Sequence, residues 1–259
     1  MTKYGIIGFP LGHSFSRGFF TEKFAREGID AQYLNFEIPD AKMLLDVLRD
    51  NPELRGLNVT LPHKQAVISL LDELSDEAHE IGAVNVIKVE HLDNGQEARS
   101  DNQQSIVKLK GFNSDIIGFT ESIKLLLQPH HTHALILGTG GASRAIRVGL
   151  SRLGIEWTYV TRSPREGMFA YPDLTSEVME KYTVIVNCSP VGMFPKVDEA
   201  PNIPYELLTP KHLLFDLVYN PEDTLFMQKG RERGATVKNG LEMLHLQAVA
   251  SWRFWQQGD

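Results

Sequence analysis

Residues 58 to 64 read Asn58-Val59-Thr60-Leu61-Pro62-His63-Lys64. Val59 and Thr60 suit a pleated, half-buried surface, and Pro62, which cannot donate to a central ladder, stops the strand. An amide, a hydroxyl and an ammonium therefore gather where a strand gives out. In open α/β sheets, ligands sit outside the carboxyl ends of the strands. Thr60 and Lys64 can then reach one cleft, where the Lys64 ammonium can stabilise an oxygen that gains negative charge.

A second cluster, Gly138-Thr139-Gly140-Gly141-Ala142-Ser143, directly follows the apolar run Ala134–Leu137 and opens a helical pattern. That is the setting of a dinucleotide-binding turn. Gly138 makes the turn, Gly140 lets the backbone approach a pyrophosphate, and the small Ser143 allows close helix–strand packing. The helix start at Gly141 and Ala142 adds N–H groups and a partial positive charge. The next strand, Trp157–Val160, ends in Thr161-Arg162-Ser163. An acid that would bond a free ribose 2′-hydroxyl is missing there, and a guanidinium, which pairs with phosphate, stands in its place. Arg165 is close enough to assist, and Arg144 can also reach. The pattern favours NADP over NAD.

The elements that must position these residues alternate. Strands are expected at Tyr4–Gly8, Gln32–Phe36 and Leu57–Thr60, with helices at Ser16–Glu27 and Ala41–Arg49, the latter capped by Asp40. Gln65 to His79 reads as a helical, charge-bearing stretch. Strands near Val86 and Val107 flank a polar loop, residues 91–104, that reads as a solvated hairpin. A second alternation begins near residue 116. It has helices at Phe119–Leu127 and Ala142–Leu153, and strands at 134–137, 157–160, 184–187, 213–217 and 236–238. The last helix is Leu241–Trp255. Such alternation predicts α/β architecture in two domains, a mostly parallel N-terminal α/β domain and a Rossmann-type nucleotide domain. The expected boundaries are 1–117 for the first, with 241–259 packing back on it, and 118–240 for the second.

Bulk properties exclude other classes. The 259-residue chain is 42% hydrophobic and 23% charged, as in ordinary globular proteins, with a formal net charge of -7. That charge argues against a nucleic-acid partner or an anionic membrane surface. No apolar run approaches the ~20 residues that span a bilayer, and the N-terminus lacks a signal-peptide pattern. A single cysteine, Cys188, excludes an intramolecular disulfide framework and fits a reducing, cytoplasmic setting.

The motifs together resemble the shikimate dehydrogenase family, from the N-terminus to the last helix. They are GHSFS (12–16), GLNVTLPHK (56–64), GAVN (82–85), GFNSDIIG (111–118), GTGGAS (138–143), NCSPVGM (187–193), DLVYNP (216–221) and NGLEMLHLQA (239–248). The resemblance implies reversible, NADP-dependent reduction of 3-dehydroshikimate to shikimate, in aromatic amino-acid biosynthesis, with the nucleotide domain inserted into a substrate domain. It further implies that Ser14, Ser16, Thr60, Asn85, Tyr219 and Gln247 hold the substrate and that Lys64 and Asp115 are the catalytic pair. Gly240 and Met243 would line the nicotinamide side. Arg17, Ser114, Val86 and the long polar loop depart from the usual pattern. Beside this reading stand a quinate/shikimate dehydrogenase of broader range and a non-catalytic NADP-binding sensor on the same fold. The expected assembly is a monomer or homodimer.

Other features read blandly. The tract His130-His131-Thr132-His133 lacks a paired carboxylate, so no metal is expected. His13 and His63 read as local hydrogen-bonders, Cys188 needs no redox role, and Trp252 and Trp255 read as packing.

Overall fold

The computed structural model describes residues 1–12, 15–92 and 107–257. Ser14 and His13, and most of the polar loop, lie outside the described residues. The chain divides into two compact units, Met1–Ser114 with Ala248–Asp259, and Asp115–Gln247.

The first unit is a six-stranded sheet. Its elements are β1 (Thr2–Gly8), α1 (Phe15–Glu27), β2 (Ala31–Glu37), α2 (Leu44–Asp50), β3 (Leu54–Val59), β4 (Glu73–Leu74), α3 (Asp76–Ile81), β5 (Val86–His91) and β6 (Val107–Phe112). The strand order is β2-β1-β3-β5-β6-β4. The pairs β1–β2, β1–β3 and β4–β6 are parallel, whereas β5 runs antiparallel to both β3 and β6. Side chains alternate across the sheet. Ile7, Leu57, Val59, Ile87 and Val89 face an aliphatic core shared with Leu44 and Val47 of α2. Tyr4 and Tyr33 face the other way into an aromatic cluster with Phe20 and Phe24 of α1 and with Trp252 and Trp255.

The stretch from Gln65 to His79 is not one helix. It comprises a 3-10 turn at Ala66–Leu70, the short strand β4 and then α3. The cause is non-local. Asp72 gives its backbone N–H to the Leu109 carbonyl, and its carboxylate accepts from Leu109 N at 2.7 Å. Pairing with β6 thereby overrides the local helical preference. Asp40 caps a 3-10 turn, Ala41–Met43, that leads into α2, its Oδ1 accepting from Lys42 N.

The second unit is doubly wound. It contains α4 (Asp115–Ile123), β7 (His133–Leu137), α5 (Gly141–Arg152), β8 (Glu156–Val160), α6 (Ser176–Lys181), β9 (Val184–Asn187), β10 (Leu213–Asp216), α7 (Leu225–Glu232), β11 (Thr236–Lys238) and the start of α8 (Leu241–Trp255). All pairs are parallel, in the order β11-β10-β9-β7-β8. Both faces are covered, as a parallel sheet requires. Ala134 and Ile136 pack with α4 and α5, and Leu135 and Leu137 pack with Met179 of α6 and Phe226 of α7. The strand order reverses at β7, which sets a switch point directly before the glycine turn.

Candidate active site

In the first unit, β1 and β3 end side by side. Thr60 N donates to Ile7 O and Phe9 N to Leu61 O, both at 3.0 Å. The approach is so close that a Cβ on Gly8 would lie 2.4 Å from Thr60 Cγ2. The loop after β3 is then laced to the turn before β5. Val59 N donates to Asn85 O at 2.8 Å, and Val84 N donates to Lys64 O at 2.7 Å. Lys64 and Asn85 are thus fixed at one edge by backbone bonds, with Thr60 beside them. Buried His63 supports the loop, its Nε2–H donating to Ile38 O at 2.6 Å.

Asn85 is itself buried. Its Oδ1 accepts from Ser114 N at 2.7 Å, and its Nδ2 donates to Ser114 Oγ at 3.0 Å. Ser16 lies in the first turn of α1, and its hydroxyl acts against burial to lower the Tyr33 pKa.

In the second unit, the glycine turn has the shape of a phosphate cradle. Gly138 takes φ +100°, a conformation that favours glycine. Its N–H donates to Val160 O at 3.0 Å, which places the turn next to Thr161 and Arg162 at the end of β8. Gly140 caps α5 without a side chain, and a Cβ there would meet nothing within 4 Å. Backbone N–H groups at a helix start, with open space before them, fit a pyrophosphate. Ser143 is fully buried and donates its hydroxyl to Gly140 O at 2.7 Å, stiffening the turn. Arg162 and Arg165 are exposed. Arg162 lies within electrostatic reach of Tyr171, and Arg144 within reach of Tyr159. An NADP 2′-phosphate fits this donor set.

The ends of β9 and β10 complete that edge. Asp216 is buried, and its carboxylate accepts from Asn187 Nδ2 at 2.9 Å, Val218 N at 3.0 Å and Thr224 Oγ1 at 2.7 Å. Burial nevertheless raises its pKa to about 6. Cys188 follows directly. Burial pushes its thiol up, and the carboxylates of Asp216 and Asp115 push it further, so it is no thiolate nucleophile. That influence also places Asp115, buried in the first turn of α4, near the end of β9. One turn on, a Cβ on Gly118 would lie 2.5 Å from Met243 O and 2.8 Å from Gln247 Cγ. α8 thus brings Gln247 against α4 near Asp115. Gly240 N donates to Val218 O, and a Cβ there would lie 2.3 Å from Leu217 O. Tyr219 is half-buried on the same segment. The Met243 side chain sits in the core of this unit.

Ser16, Thr60, Lys64 and Asn85 therefore belong to the first unit. Asp115, the glycine turn, Thr161, Arg162, Arg165, Tyr219, Gly240, Met243 and Gln247 belong to the second. Tyr33, Ser251 and the Asp216 network drew no role from the sequence. Their signal was present, since a buried tyrosine and a strand-end aspartate need partners, but the partners are distant in the chain.

A family model described as the shikimate dehydrogenase substrate binding domain matches residues 6–87. The NADP(+) shikimate dehydrogenase of Desulforamulus reducens is 34% identical over 97% of this chain and 88% of that protein. The chain belongs to the shikimate dehydrogenase family. Solved members share its architecture. The Aquifex aeolicus shikimate dehydrogenase superposes with a TM-score of 0.82 at 33% identity, covering 98% of this chain and 92% of that one. The Thermus thermophilus shikimate 5-dehydrogenase, in complex with NADP(H) and shikimate, superposes with a TM-score of 0.81 at 30% identity, covering 99% and 94%. Among the described residues, no group of three His, Cys, Asp or Glu could hold a metal ion, and no helix is long and apolar enough to cross a membrane. The histidine tract is engaged in structure: His130 and His131 both direct Nε2 to Lys211 O at 3.0 Å.

Proposed function

We propose that this family member reduces 3-dehydroshikimate to shikimate reversibly with NADPH. The observation that carries the reading is kinship along nearly the whole chain with NADP(+) shikimate dehydrogenases, joined to Lys64 at a laced strand end and to Arg162 beside the glycine turn. Bound NADPH would supply the hydride.

The chain's own residues then manage binding and the proton. The glycine turn and the start of α5 hold the pyrophosphate, while Thr161, Arg162 and Arg165 hold the 2′-phosphate. Ser14, Ser16, Thr60, Asn85, Tyr219 and Gln247 bind the carboxylate and hydroxyls of the substrate. As negative charge grows on the carbonyl oxygen, the Lys64 ammonium stabilises it and donates the proton. In the oxidative direction Lys64 takes that proton back. Asp115 accepts from a substrate hydroxyl. Gly240 and Met243 form the nicotinamide side. All assigned residues come from one chain, so a monomer or a homodimer serves equally, and the lone cysteine accords with the cytoplasm.

Steady-state assays with shikimate and NADP test the reading. The parent should turn over, and Lys64→Ala should lower kcat by about 10²–10⁴-fold while leaving the Kd for NADP nearly unchanged. Absence of turnover, or a Lys64→Ala variant as fast as the parent, overturns it. A parallel assay on quinate separates the broader-range enzyme.

A further inference from the structure

We propose that Tyr33, acting through a buried hydrogen-bond chain with Asn58 and Ser251, is a positioning residue that sets the geometry of Ser16 and Asn85 for substrate binding. The inference rests on the assignment of Ser16 and Asn85 to the substrate.

Tyr33 lies on β2, 2% exposed, with its ring stacked on Phe20 at 4.9 Å. Phenylalanine would fill that slot as well, and a buried hydroxyl costs stability unless it is paired. Here it is paired: the hydroxyl donates to Asn58 Oδ1 at 2.8 Å. Its one proton is thereby used, so toward Ser16, whose hydroxyl acts to lower the phenol pKa, the tyrosine oxygen can only accept.

Asn58, on β3, carries the chain onward. Its Nδ2 donates to Ser251 Oγ at 2.9 Å and reaches Asn85 O at 3.4 Å. The hydroxyls of Ser251 and Ser114, both fully buried, lie 3.4 Å apart. Ser114 then holds both ends of the Asn85 amide. The chain crosses α1, β2, β3, α8 and the turns flanking β5 and β6. Its termini are two proposed substrate contacts, and its middle members have no such assignment. The Tyr33 donor on one side and the Ser251 acceptor on the other fix the orientation of the Asn58 amide.

The decisive variant is Tyr33→Phe, which keeps the ring and deletes the hydroxyl. The KM for shikimate should rise about 5–10-fold, with kcat and the KM for NADP within about twofold of the parent. Ser251→Ala should do the same, and the two changes together should raise KM by less than their product, because they break one chain. Phe24→Leu, in the same aromatic cluster but outside the chain, should lower Tm without moving that KM. The proposal is overturned if Tyr33→Phe and Ser251→Ala leave the KM for shikimate at the parent value, or if Phe24→Leu raises it equally. Ser16→Ala and Asn85→Ala separate the layers. If they raise that KM and Tyr33→Phe does not, only the positioning role falls; if they leave it unmoved, the substrate assignment falls and the inference with it.

Discussion

The side-chain amide of Asn187 donates to Asp216 Oδ1 across 2.9 Å and pins the carboxyl ends of β9 and β10 together. Three donors lower the carboxyl pKa, yet burial outweighs them and raises it from 3.8 to about 6. Between those values the native chain holds a proton that the unfolded chain has released. The contribution is fully present below pH 3.8 and is lost as pH rises through about 6. Two pKa units correspond to about 3 kcal/mol. Asp216→Asn has no proton to lose at this site. The Tm of the variant relative to the parent should therefore climb between pH 4 and 7 in thermal unfolding. A constant difference across that range would refute the shift.

Arg162 bears on cofactor choice. It is exposed at the end of β8, next to the glycine turn through the bond from Gly138 N to Val160 O. Hydrogen bonds to a charged group contribute about 1.5–3 kcal/mol, or about 10–100-fold in affinity. Arg162→Ala should raise the KM for NADP by about that factor and change the KM for NAD little. Because the guanidinium is solvated, added salt should weaken NADP binding in the parent more than in the variant. Equal movement of the two nucleotides would remove Arg162 from 2′-phosphate recognition.

Those two sites differ in how they can be read from sequence. The glycine turn is a local signal, since a strand, a turn and a helix start follow one another within residues 134–143, and Arg162 stands directly after the next strand. Asn187 and Asp216 are 29 residues apart and meet only because β9 and β10 are neighbours. The same distinction separates the stretches read well from those read badly. β7 and α5 carry their own period and stop signals, and Gly154, at φ +74°, ends the helix region as expected. Residues 65–79 follow a distant partner, Leu109, and lose their helical continuity to it. The short helices α6 and α7 went unread because each depends on a threonine cap, Thr175 or Thr224, rather than on a long apolar stripe. Lys64 stands out by residue type at a strand end and Asn85 only through the ordered motifs, whereas the Tyr33–Asn58–Ser251 chain spans 218 positions and has no local signature.

Gly118 should resist substitution. In a solvated helix, glycine to alanine gains about 1 kcal/mol. Here the new Cβ would lie 2.5 Å from the Met243 carbonyl oxygen, a backbone atom that cannot rotate away, and 2.8 Å from Gln247 Cγ. Overpacking of this kind costs about 1–3 kcal/mol, enough to outweigh the gain in propensity. Gly118→Ala should lower the urea midpoint. By displacing Gln247 it should also raise the KM for shikimate more than that for NADP. A stabilised variant with parental kinetics would show that α4 and α8 yield more readily than their spacing indicates.

Trp255 offers a test of packing in the first unit that can be made internally consistent. It is 1% exposed, its ring lies 4.9 Å from that of Tyr4 and 5.1 Å from that of Phe20, and its Nε1–H donates to Ile87 O at 3.1 Å. Trp255→Ala should cost about 3–5 kcal/mol. The more informative variant is Trp255→Phe, which keeps an aromatic ring but deletes the pyrrole edge and its donor. The atoms that crowd Gly56 belong to that edge, since a Cβ on Gly56 would lie 2.4 Å from Cδ1 and Nε1 and 2.6 Å from Cε2. Gly56→Ala should therefore be destabilising beside tryptophan and much less so beside phenylalanine. Chemical denaturation of the two single variants and the double variant closes the cycle, with an expected coupling of about 1–3 kcal/mol in favour of the double. Strict additivity would mean that the indole moves aside without cost and that the glycine is not required for its seat.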